Sequence, residues 1–109
     1  MVIFEKHILK NGLRVLVNPD SSTPMAAVNI LYDVGARDED PRQTGFAHLF
    51  EHLMFEGSLH VPYFDKALQH AGGDNNAFTT NDITNYYMTL PAANLETAFW
   101  LESDRMLGL

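Results

Sequence analysis

The sequence has 109 residues, 46% of them hydrophobic and 19% charged, which is enough chain for one domain with a buried core of its own. Asp and Glu number 14 against 7 Lys and Arg, and the resulting net charge of −7 repels phosphate backbones and argues against nucleic acid as a partner. The lack of cysteine excludes disulfides and thiolate chemistry, and no stretch approaches the roughly 18 consecutive apolar residues that span a membrane.

The elements follow in chain order. Met1 to Asn18 reads as a β-hairpin, because Asn11-Gly12 accepts positive φ at both positions between flanks rich in strand formers. Pro19 to Pro24 is a turn. Met25 to Val34 is a third strand, and apolar residues on both faces (Val28, Ile30 and Tyr32 on one, Ala27 and Leu31 on the other) predict a covered, central position. A charged loop, Gly35 to Gln43, leads to a helix opening near Thr44 as N-cap and ending at about Phe55, with Gly57 as the stop. Pro62 to Ala71 is a second helix, ended by Gly72-Gly73. Asp74 to Asp82 is polar and extended, and Ile83 to Leu90 alternates as a strand until Pro91 breaks it. Asn94 is placed to cap a last helix that spaces Leu95, Ala98, Phe99 and Met106 helically. The fold class expected is α+β, a largely antiparallel sheet with helices packed on it.

The chemistry concentrates in Gly45 to Gly57. On a helix, His48 and His52 lie one turn apart on one face, with Glu51 at its edge. Two imidazoles at this spacing reach one divalent metal, and an imidazole and carboxylate set suits zinc. Zinc lowers the pKa of a water it holds from ~15.7 to about 7. Glu51 points roughly a third of a turn away from the metal axis, which fits a base acting on water better than a ligand. Phe46, Phe50, Leu53 and Met54 form the opposite face, expected to be buried. Asn75 and Asn76, following two glycines, read locally as turn chemistry.

With these residues in place, the sequence resembles the pitrilysin, insulysin and mitochondrial processing peptidase family of inverted-motif (HxxEH) zinc peptidases, with the look of a bacterial member. The resemblance runs through Asn11 to Val15, Val34 to Arg37, Gly45 to Ser58, Gly72 to Thr79, then Asp82, Thr84, Asn85 and Tyr86, and finally Phe99 to Met106. It implies His48 and His52 as Zn2+ ligands, Glu51 as the general base, and Asn76, Ala77 and Phe78 on an edge strand that holds a peptide or unfolded polypeptide through main-chain bonds. It also implies a third ligand, a glutamate, beyond Leu109, since a catalytic zinc needs three protein ligands and an open position. Residues 1–109 are then the N-terminal part of a catalytic domain, inactive alone and prone to self-association through uncovered surface.

Other readings remain beside this one. A peptide-binding or scaffold subunit of the same fold would lose motif residues, and here all three are present. A plain acidic interaction domain would bind no zinc. Hydrolysis by Ser103 or Thr79 as nucleophile lacks any nucleophile-elbow context. Glu96, Glu102 and Asp104 are expected on a solvated helix face, Trp100, Tyr86 and Tyr87 as core or sheet-face aromatics, and His7, His60 and His70 as isolated surface residues. Arg37 and Arg42 are expected to pair with Asp38 to Asp40. Glu5 and Lys6 interrupt the apolar run a signal peptide would need. The cytoplasm is the expected location, with the periplasm as the alternative if a leader has been removed.

Overall fold

The computed structural model describes residues 3–109, so Met1 and Val2 of the expected hairpin lie outside the described residues. Strands β1 (Glu5–Ile8) and β2 (Arg14–Val17) pair antiparallel, Glu5 opposite Val17 and Ile8 opposite Arg14. The turn differs in detail from the expectation. Only Gly12 takes positive φ, at 90°, while the Asn11 side-chain oxygen accepts from the Leu13 N–H at 3.0 Å. The Gly12 N–H donates to the Leu9 carbonyl at 2.9 Å, so a turn over Lys10 and Asn11 is followed by a left-handed glycine.

A second sheet holds β3 (Met25–Tyr32), β4 (Asp74–Thr79) and β5 (Thr84–Pro91) in the order β3-β5-β4, with both pairings antiparallel. The prediction of β3 as a central, covered strand is therefore wrong. It is an edge strand whose residues alternate between exposed and half-buried, and its second apolar face, with Leu31 58% exposed, is open. The central strand is β5, where Thr84, Tyr86, Met88 and Leu90 face inward and are buried. Pro91 does not break β5 but closes it opposite Met25, a position that asks for no N–H from the ring.

All three helices lie on that inward face. Helix α1 (Phe46–Glu56) leads to α2 (Phe64–His70), and α3 (Leu95–Leu107) follows a 3₁₀ turn at Ala92–Asn94. Gly72 and Gly73 close α2 by donating to the carbonyls of Gln69 and Leu68, both at 2.9 Å. The core forms where α2 and α3 meet β5, from Val61, Phe64, Leu68, Ala71, Met88, Leu90, Ala98 and Leu101. The α+β architecture is as expected from the sequence.

Helix α3 corrects several expectations. Asn94 makes no side-chain cap; its Nδ2 donates to the Ala71 carbonyl at 2.9 Å and ties α3 to the end of α2. Phe99 and Met106 are exposed, as is Trp100, while Glu102 and Asp104 are buried with Leu101 and Arg105. The polar residues are inside because each has partners there. The Arg105 guanidinium pairs with Glu102 and lies over the Phe64 ring, 4.0 Å from its centroid. Asp104 accepts from the Ser58 hydroxyl at 2.6 Å and from the His60 N–H at 2.8 Å, and His60 Nδ1 stands 2.7 Å from its other oxygen. His60 is thus exposed but not isolated, and so is His7, whose Nε2 lies 3.5 Å from Glu5 Oε2, whereas His70 is a surface residue as expected. Arg37 reaches Asp38 at 3.6 Å, and also Asp33 and Asp82, and Arg42 pairs with Asp40 at 2.9 Å.

Candidate metal centre

Helix α1 starts differently from the sequence reading. Its N-cap is Gly45 in the left-handed region, φ 91°, not Thr44. The oxygen that Thr44 was expected to supply comes from Glu39, whose carboxylate accepts from the Gly45 N–H at 2.6 Å and the Ala47 N–H at 2.8 Å. A carboxylate at this end also opposes the positive end of the helix dipole. At the other end, Arg105 Nη1 donates to the Met54 carbonyl at 3.1 Å. The helix is held by an anion at its N-terminus and a cation at its C-terminus.

Between these ends, His48 and His52 lie on an exposed face with their Nε2 atoms 2.8 Å apart. The rings are 4.7 Å apart and tilted by 38°. Two nitrogens bound to one tetrahedral zinc at 2.0–2.1 Å would stand roughly 3.3 Å apart, so the pair needs to open by only about half an ångström. The donor set fits zinc, with two convergent imidazoles and a carboxylate beside them. Among the described residues, no group of three His, Cys, Asp or Glu side chains converges to hold a metal.

Glu51 is half-buried, and its Oε2 accepts a hydrogen bond from the Thr79 hydroxyl on β4. One turn later on the same side of α1, Phe55 packs against Tyr86, ring centroids 6.3 Å apart. Burial pushes the Tyr86 phenol up to about 12, with Arg105 opposing and the Glu51 carboxylate adding to the rise. The opposite face of α1 is less covered than expected. Met54 alone is buried; Leu53 is exposed, and Phe46 and Phe50 stay exposed beside a cleft of about 670 Å³ that Tyr32, Tyr86 and Arg105 help to line.

Asn76, Ala77 and Phe78 lie on β4, the other edge of the three-stranded sheet. Ala77 pairs with Tyr86 and Thr79 with Thr84, so both share the inward face with α1. By alternation, Asn76 and Phe78 direct their side chains to the far face. The structure therefore does not bring their side chains to the histidine pair. Asn76 Oδ1 accepts from the Ala77 N–H at 2.8 Å, and Asp74 Oδ1 from the Asn75 N–H at 2.9 Å. The local reading of this segment as a turn gives way to a regular strand that retains short side-chain-to-backbone bonds. Sequence reasoning missed the parts played by Glu39, Thr79 and Arg105. Thr79 had a signal, since it lies two residues past Ala77 on the same strand face.

Residues 14–106 match the family model described as Insulinase (Peptidase family M16). The chain belongs to the M16 peptidase family. It is 39% identical over 108 residues to the Helicobacter pylori protein named zinc protease PqqE, covering 96% of this chain and 24% of that one. It is 31% identical over 93 residues to human insulin-degrading enzyme, covering 83% of this chain and 9% of the enzyme. A solved protease structure from Helicobacter pylori superposes with TM-score 0.92 at 37% identity, covering all of this chain and 27% of that one. Pitrilysin superposes with TM-score 0.86 at 25% identity, covering 95% of this chain and 11% of pitrilysin. The chain thus spans about a quarter or less of the M16 relatives it matches, and its fold is theirs over that span.

Proposed function

We propose that the whole protein is a zinc-dependent endopeptidase and that this chain supplies two metal ligands, His48 and His52, and the general base, Glu51. The observation that carries the reading is the convergence of the two Nε2 atoms at 2.8 Å on an exposed helix face that also bears Glu51. Membership in a family whose relatives are named zinc proteases supports it. A bound zinc supplies Lewis acidity, activating water and polarising a carbonyl. Glu51 takes the proton of the attacking water on its free carboxylate oxygen and passes it to the departing amine nitrogen as the C–N bond breaks and the carbonyl carbon gains the water oxygen. The third ligand lies beyond Leu109, residues 1–109 are the N-terminal part of the catalytic domain, and the chain is inactive alone.

In this reading the substrate is a peptide or unfolded polypeptide, held in extended form along the β4 edge at Asn76, Ala77 and Phe78. The position of β4 at the sheet edge supports it. We propose the cytoplasm as the location, the periplasm being the alternative.

A second reading, a non-catalytic peptide-binding or scaffold subunit of the same fold, is favoured by one observation. The chain is 34% identical over 99 residues to human cytochrome b-c1 complex subunit 1, by its name a part of an assembly. Calorimetry decides between the two. Zinc binding is measured for this chain and for the full-length protein, each beside its His52→Ala variant. Tight, His52-dependent binding in the full-length protein, with peptide hydrolysis abolished by Glu51→Gln, supports the peptidase. Absence of binding in both leaves the scaffold.

A further inference from the structure

We propose that Thr79 is a positioning residue that aims the Glu51 carboxylate, an inference that rests on the reading of this site as a peptidase centre. Among the described residues, the Thr79 hydroxyl is the one hydrogen-bond partner of the Glu51 carboxylate. The bond joins α1 to β4 across 28 positions of sequence and is partly shielded from solvent.

Glutamate carries three rotatable side-chain bonds, and on an otherwise exposed helix face its carboxylate samples many rotamers. A base that removes a proton must instead be within hydrogen-bond reach of that proton. Thr79 restricts it. Threonine is stiff at χ1, and its backbone is fixed in the ladder opposite Thr84, whose own hydroxyl donates to the Val34 carbonyl at 2.9 Å. Thr79 donates to Oε2, which leaves Oε1 free for proton transfer. The Phe55–Tyr86 packing sets the same helix face against the same sheet one turn further on, so the carboxylate is located by two contacts. A further consequence concerns the strand. Thr79 is two residues beyond Ala77 on the strand assigned to the peptide, so one rigid element sets both the base and the substrate register.

The test uses the full-length protein with Thr79→Val, which keeps the shape and removes the hydroxyl, and Thr79→Ser, which keeps the hydroxyl. Peptide hydrolysis is measured as kcat and KM separately, with zinc content determined for each preparation. In the zinc-free protein, the carbon-13 resonance of the Glu51 side-chain carboxyl is recorded as well. Thr79→Val is expected to lower kcat by roughly tenfold or more with KM and zinc content little changed, the size typical of a group supporting a metal site. Thr79→Ser is expected to recover most of that loss. The carboxyl resonance is expected to shift in Thr79→Val and return in Thr79→Ser. Unaltered kcat in Thr79→Val, a serine variant no better than valine, or an unmoved resonance overturns the proposal. If wild type and Glu51→Gln are equally without zinc-dependent hydrolysis, the peptidase reading has failed, and the carbon-13 result alone decides whether Thr79 orients Glu51.

Discussion

Arg105, near the end of α3, donates from Nη1 to the main-chain carbonyl of Met54 at 3.1 Å, and so fastens the helix that bears His48 and His52 from 51 residues away. Its other arm pairs with Glu102, and both side chains are almost fully buried. Glu102 Oε2 and Arg105 Nε find no further partner among the described residues, so the pair is not completely satisfied. Arg105→Met is expected to cost about 3–5 kcal/mol, because it leaves the Glu102 charge buried and uncompensated. Replacing both residues by apolar ones of similar volume should recover most of that loss. Urea unfolding of the single and double variants measures both values, and a double variant as unstable as the single would show that the hydrogen bond to Met54 dominates instead.

The Glu39 cap makes a separate prediction. Removing an N-terminal capping side chain typically costs about 1 kcal/mol. Glu39→Ala should show this loss in chemical denaturation, and Thr44→Ala should stay within about 0.5 kcal/mol of wild type, as surface substitutions usually do. The reverse ranking would restore Thr44 as the cap.

The Asp104 carboxyl predicts a pH dependence. The Ser58 hydroxyl, the His60 N–H and the His60 ring hold it down to about 2, from an ordinary value of 3.8. The folded protein therefore binds this proton less readily than the unfolded chain does. The stability it contributes is complete above the ordinary carboxylate value and is lost as pH falls through about 2. Thermal unfolding of wild type and Asp104→Asn should differ by a constant amount near neutrality, and the gap should close from about pH 4 downward. A gap independent of pH would mean that the Asp104 carboxyl binds its proton equally well in the folded and unfolded chain, and would refute the depressed value.

Exposed apolar surface predicts self-association of the 109-residue chain. Phe46, Phe50 and Leu53 on α1 and Leu31 on β3 are uncovered, and β3 and β4 each present an unpaired edge. Sedimentation velocity should give a mass that rises with concentration, and Leu31→Lys together with Phe50→Lys should reduce the rise. A monomer at all concentrations would refute this.

The fold class, the hairpin, the three helices and the placement of His48 and His52 one turn apart on one helix were legible in the sequence because each rests on local spacing. Glycine at position 12, helical spacing at 48 and 52, and alternation from 83 to 90 are visible within a few residues. The misreadings have one cause. Whether β3 is central depends on which strand lies beside it, and β5 is more than 50 residues away. Glu39 caps a helix six residues before its first bonded N–H, outside any capping pattern. Glu102 and Asp104 looked solvent-facing because acids usually are, and only their partners in Arg105, Ser58 and His60 account for their burial. Phe46 and Phe50 were assigned to a core by their type, but the described residues bring nothing to cover them.

The strand order β3-β5-β4 also bears on how the chain is made. Synthesis runs from the N-terminus, so β3, α1 and β4 all leave the ribosome before β5, the strand that pairs with both edges. Until residue 91 has emerged, neither edge has its neighbour, and until Arg105 follows, the histidine helix lacks its far anchor. The histidine pair is thus completed early in translation and held in place late, an interval in which a nascent-chain chaperone would meet the helix with its apolar side bare.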